Sequence, residues 1–142
     1  MDDRKIKKRA FYRIAWNVFH MWEETKTSDT RLFQEPLISD KHVTIGQSKS
    51  LGSYREHAVP RLVLCEKCHE MYAAGSTVQD VADFIEEFLI IVLISRDEQQ
   101  LLDRKDKLNL KQKMPANWDF ESGDPLARLK KADIKIIPNK TT

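Results

Sequence analysis

The chain has 142 residues, 41% of them hydrophobic and 32% charged. This is the make-up of an ordinary globular domain with material for a core. Lys and Arg number 24 against 22 Asp and Glu, a net charge of +2, which argues against both a dedicated, strongly basic nucleic-acid binder and an acidic solvating tail. Four Gly and five Pro are too few for a Gly-rich cofactor fold or a disordered linker, and no window approaches the roughly 18 to 20 apolar residues of a membrane span.

The first element predicted is a helix over residues 3–25. Phe11, Ile14, Ala15, Val18 and Trp22 recur at three and four and make one apolar stripe. Residues 26–53 read as irregular, with a short strand at 42–45 ended by Gly46 and a loose stretch from Gly46 to Ser53, expected to be functional or mobile. Residues 54–59 read as extended, because Val59 precedes Pro60 and is pushed toward the β region. A helix should start at Pro60, run to Ala74 and stop at Gly75. Ser76 and Gln79 form a candidate capping box for a helix that ends near Phe88. The β-branched run that follows reads as a buried strand at 89–94, with a continued buried helix as the alternative. Ser95 and Glu98 form a second capping box, opening a helix at 96–103. Residues 104–123 read as loop. Asp124-Pro125 should cap and start a helix to Lys131, and 134–137 a last strand ended by Pro138.

These elements predict an α+β, helix-rich single domain over 1–142 with a few short strands. Its parts are an N-terminal amphipathic helix (3–25), an irregular segment (26–53) and a compact α+β core (54–137). The apolar stretch Ala10–Trp22 is interrupted by Arg13, Asn17 and His20 and is not a secretory signal. The two cysteines, three apart, do not suit a disulfide scaffold. A cytoplasmic protein with reduced thiols and no membrane partner is expected.

The densest chemical cluster is residues 56–69. Cys65, Cys68 and His69 stand at i, i+3 and i+4 on one side of a helix, and His57 approaches from the segment before it. Four such N and S ligands suit zinc. Structural zinc sites, however, use two well-separated ligand pairs, and the chain has no second Cys pair. Cys65-Glu-Lys-Cys68-His69 also matches the C-x-x-C-H haem-attachment string, but its place in the middle of an apolar helix argues against haem. The plainer reading is that Cys65 and Cys68 are small buried hydrophobes, with His57 a hydrogen-bonded residue at a strand end and His69 on a helix surface.

Glu56-His57-Ala58-Val59-Pro60 resembles the [DE]-H-x-x-P core of HNH-type (His-Me finger) endonucleases. The resemblance implies His57 as the general base that activates water and Glu56 as a ligand of a divalent metal. The chain departs from that family in two ways. A helix predicted from Pro60 leaves no room for the second strand, and no Asn stands between these residues and Asn109. A longer pattern is similar to one found in uncharacterised phage and mobile-element proteins. It comprises Arg55–Pro60, then Met114-Pro115-x-x-Trp118, then Asp124-Pro125-Leu126-Ala127-Arg128, and spans residues 55–134. It implies no chemistry, and it favours a role in binding or blocking another protein.

The N-terminal helix offers a partner surface of a different kind. Arg4, Lys5, Lys8, Arg9, Tyr12 and Trp16 combine cations with the aromatic side chains that anchor interfaces. The reading these residues favour is a small non-catalytic interaction protein, of phage or mobile-element type, that binds another protein and needs no cofactor. The alternative is a Mg²⁺-dependent HNH-like nuclease or a Zn²⁺-supported nucleic-acid-binding protein built on residues 56–69. A homodimer through the same helix is a further option.

Overall fold

A computed structural model describes residues 1–139 of the chain. The fold is α+β and helix-rich, with five α-helices and one four-stranded sheet among the described residues. The contacts divide the chain into two compact units that alternate in sequence. The first is built from Met1–His42 and Arg61–Leu89, the second from Val43–Pro60 and the chain from Ile90 onward.

The first unit is helical. Helix α1 spans Asp3–Thr25, α2 spans Arg61–Ala73 and α3 spans Val78–Phe88. Helix α1 starts where Asp2 accepts the Lys5 N–H on its side chain at 2.8 Å, which satisfies one orphan donor of the first turn. It packs mainly on α3 and also on α2. Its Ala10, Phe11, Ile14, Ala15 and Val18 are buried, as are Leu64, Cys65 and Cys68 of α2 and Val81, Ala82, Ile85 and Phe88 of α3. The Tyr72 hydroxyl donates to the Ala15 carbonyl at 2.7 Å, so the one polar atom of that buried ring is paired.

Helix α2 stops as its Gly predicts. Gly75 takes φ +92°, its N–H donates to the Tyr72 carbonyl at 3.0 Å, and the Ser76 N–H donates to the Met71 carbonyl at 2.9 Å. This is a Schellman closure. Ser76 is therefore committed to ending α2 and does not cap α3, as the sequence suggested. The cap is Thr77, whose hydroxyl accepts the Asp80 N–H and whose N–H donates to the Asp80 carboxylate, both at 3.0 Å.

The second unit carries the sheet. Strands β1 (Thr44–Ser48), β2 (Tyr54–His57), β3 (Ile91–Ile94) and β4 (Ile136–Pro138) lie in the order β2-β3-β1-β4. β1 runs parallel to β3 and antiparallel to β4, and β2 runs antiparallel to β3. The β-branched run after α3 is thus a strand, and its central place in the sheet buries Ile91, Val92 and Ile94. Gly46 does not end β1. It lies inside it, because β4 passes so close that a Cβ there would stand 2.5 Å from the Ile137 carbonyl oxygen.

Helix α4 spans Arg96–Asp103 and begins at the predicted Ser95–Glu98 capping box. Helix α5 spans Ala127–Lys131 and starts two residues later than expected. Asp124 accepts the Leu126 N–H on its side chain and the Ala127 N–H on its carbonyl, so it shapes a turn that precedes the helix. Val92, Ile94, Leu102, Leu129 and Ile134 form the core of this unit.

Candidate functional site

Glu56 and His57 close β2 in the second unit, and their surroundings are set by Arg128 on α5. Its side chain is fully buried. Nη2 lies 3.0 Å from a Glu56 carboxylate oxygen and 3.9 Å from Asp103. Nε donates to the Leu110 carbonyl at 2.8 Å, and Nη1 donates to the carbonyls of His57 at 2.9 Å and Ala58 at 3.3 Å. A planar, always-charged fork suits this set of acceptors, and an ammonium group cannot reproduce it. Burial pushes the Glu56 carboxyl above its ordinary value, and the Arg128 charge and hydrogen bond oppose that shift. The Glu56 side chain named as a metal ligand by resemblance thus faces a guanidinium. The two ends of the longer sequence pattern, Glu56 and Arg128, meet as one buried ion pair.

Cys65, Cys68 and His69 stand on α2 in the first unit. His69 Nε2 lies 2.6 Å from the Ser28 hydroxyl and 3.6 Å from Cys65 Sγ, and Ser28 Oγ lies 3.2 Å from the same sulfur. Cys68 is fully buried, and both thiols are free. Burial raises the Cys65 thiol, a shift the Ser28 hydrogen bond partly offsets, and burial lowers His69. Both shifts favour a neutral thiol beside a neutral imidazole, the reverse of the charge-separated pair of a reactive cysteine. Among the described residues, no three His, Cys, Asp or Glu side chains group closely enough to hold a metal ion.

The segment 49–53, read as loose, is tied by hydrogen bonds. Gln47 donates to the Gly52 carbonyl at 2.9 Å, Ser48 and Ser50 share a hydrogen bond at 2.7 Å, and Ser50 donates to the Glu98 carboxylate at 2.7 Å. A hollow of about 480 Å³ lies beside this segment and the start of α4. The Glu98 carboxylate already accepts the Ser95 N–H there at 2.8 Å.

The outer face of α1 is different. Lys5, Arg9, Tyr12 and Trp16 follow one another at four, three and four, and Arg13 lies beside them. Tyr12 is 42% exposed and Trp16 48%, large values for aromatic side chains on a helix whose opposite face is fully buried. Arg9, Tyr12, Arg13 and Trp16 line a hollow of about 320 Å³. Arg13 Nε and Nη2 both donate to the Leu37 carbonyl, at 3.0 and 2.7 Å, which holds the guanidinium in one place. Trp16 meets His20 edge-on at 4.0 Å between ring centres.

Of the residues named from sequence, Arg4 and Lys8 leave this face. Both reach Glu86 on α3, Lys8 at 2.6 Å and Arg4 at 4.0 Å. Arg13 belongs to this face as well, an i+4 step from Arg9. No family model, no curated protein and no solved structure matches the chain. Among the described residues no helix is long and apolar enough to cross a membrane.

Proposed function

We propose that the protein acts by binding another protein through the outer face of α1, without catalysis, in the manner of phage and mobile-element factors that block a host component. The observation that carries this reading is the exposure of Tyr12 and Trp16 around one hollow, with Arg9 and Arg13 at its rim. Large exposed aromatics beside Arg are the composition of an interface centre, not of an idle surface. The other clusters have internal uses. Arg128 holds Glu56, and Ser28 holds Cys65 and His69.

The test is gel filtration of a complex captured from cell extract, run with the native chain and with a Tyr12→Ala/Trp16→Ala variant. The native chain is expected to retain its partner and the variant to lose it. A complex that survives the double substitution overturns the reading. Self-association abolished by the same variant would assign the face to a second copy of the chain.

A further inference from the structure

We infer that the partner presents an acidic segment, with an aliphatic or aromatic side chain seated between Tyr12 and Trp16 and its carboxylates on Arg9 and Arg13. This rests on the reading of α1 as the binding face.

Helix α1 carries six cations, and four of them divide between a carboxylate and the outer face. Arg4 and Lys8 turn to the Glu86 carboxylate. Arg9 and Arg13 have no carboxylate partner among the described residues. Arg9 meets the Met1 sulfur at 3.5 Å, and Arg13 meets only the Leu37 carbonyl. A carbonyl positions a guanidinium but does not neutralise it. The hollow therefore has two arginines without a carboxylate at its lining, and Arg13, already held by the Leu37 carbonyl, is positioned for an incoming carboxylate.

Tyr12 and Trp16 line the same hollow as the two arginines, and its lining is mostly apolar, which suits an apolar side chain of a partner. Charge complementarity and shape together specify a carboxylate next to an apolar residue. The same features fit a nucleic-acid strand less well. Lys5, Arg9 and Arg13 offer few phosphate contacts, and the chain as a whole has a net charge of only +2.

The experiment is selection of a random displayed peptide library on the full chain. Synthetic copies of the enriched peptides are then titrated, alongside an oligo-dT single strand. The expected result is enrichment of Asp and Glu around Leu, Ile, Phe or Trp. Affinity should fall on the order of tenfold or more for Trp16→Ala and again for Arg9→Gln/Arg13→Gln, and it should weaken with salt. Enriched peptides without acidic residues, or peptides whose affinity ignores the arginine substitutions, overturn the inference while leaving α1 as the binding face. So does oligo-dT binding that is lost in the Trp16→Ala variant when acidic peptides do not bind. If no peptide is enriched, the inference also fails, and the captured complex then decides separately whether α1 binds anything.

Discussion

The chain uses arginine in two opposite ways. Arg128 is fully buried, and carboxylates and backbone carbonyls surround its guanidinium. Arg9 and Arg13 stand on an exposed helix face, beside aromatic rings and without a carboxylate partner among the described residues. The first arrangement is closed, since the guanidinium is fully buried between carboxylates and backbone carbonyls and none of it is offered outward. The second is open, since it presents charge and apolar surface outward. Closed polar centres maintain structure, and open ones are where partners bind. The most pattern-rich part of the sequence, Glu56 to Arg128, falls on the closed side, and the binding role we propose falls on the open one.

The sharpest way to break this contrast is to remove Arg128. An Arg128→Met substitution leaves the Glu56 carboxylate buried without its partner and strips three carbonyls of a donor. The expected loss is about 3–5 kcal/mol of folding stability, measured by urea unfolding. The sign of its pH dependence follows from Glu56. Burial already raises that carboxyl in the native protein, and Arg128 opposes the rise, so the variant raises it further. A raised folded-state value favours folding only while the group is protonated, so the deficit should grow as pH rises through the carboxyl's folded-state value and shrink toward pH 4. A deficit below about 1 kcal/mol at neutral pH would show that Arg128 is not the centre of its unit.

The open face should behave in the opposite sense. Tyr12→Ala/Trp16→Ala is expected to change folding stability by no more than about 0.5 kcal/mol, the range of ordinary surface changes. The same variant should cost about 2 kcal/mol or more of partner affinity. Stability loss comparable to that of a core substitution would move these rings to the closed side of the contrast. The inner face of the same helix supplies the control. Tyr72→Phe deletes only the hydroxyl that donates to the Ala15 carbonyl, and it should cost about 1 kcal/mol of stability with no effect on binding.

How far the fold was legible follows the range of the interactions. Helix α1 at Asp3–Thr25 and helix α4 at Arg96–Asp103 were readable to the residue, because an apolar stripe and a capping box are local signals. The strand was readable from its β-branched run, expected at 89–94 and found at Ile91–Ile94 because Leu89 closes α3 with its N–H on the Ile85 carbonyl. Thr77 was missed in favour of Ser76 because both can cap, and the choice depends on how α2 closes. Gly46 was read as a stop because the strand that crowds it lies about ninety positions later in the chain. The same limit applies to the sites. The i, i+4 pair Cys65 and His69 was visible, but Ser28 was not, since it lies in the irregular segment 41 positions from His69. Glu56 and Arg128 each stood in a recognised pattern, but nothing in either segment signalled that they pair.

The Ser28–Cys65–His69 cluster gives the smallest effect and tests whether it too is closed. Burial lowers His69 below its ordinary value. A base whose folded value is depressed favours folding while it is neutral, so its contribution is present above about pH 6.5 and is lost as pH falls from there through the lower folded-state value. His69 keeps some exposure, so water screens much of the penalty and the change should stay below about 1 kcal/mol. The hydrogen bond to Ser28 survives protonation, because a charged imidazole donates to the hydroxyl oxygen. Only desolvation is at stake. His42 is lowered in the same sense, so the measurement is a difference. Unfolding of the native chain and of His69→Gln is compared at pH 7.5 and 5.5, and the variant should lose less stability between them. Equal losses would mean that His69 is solvated in the folded protein, and an exposed imidazole beside the Cys65 thiol would then belong with α1 among the open features.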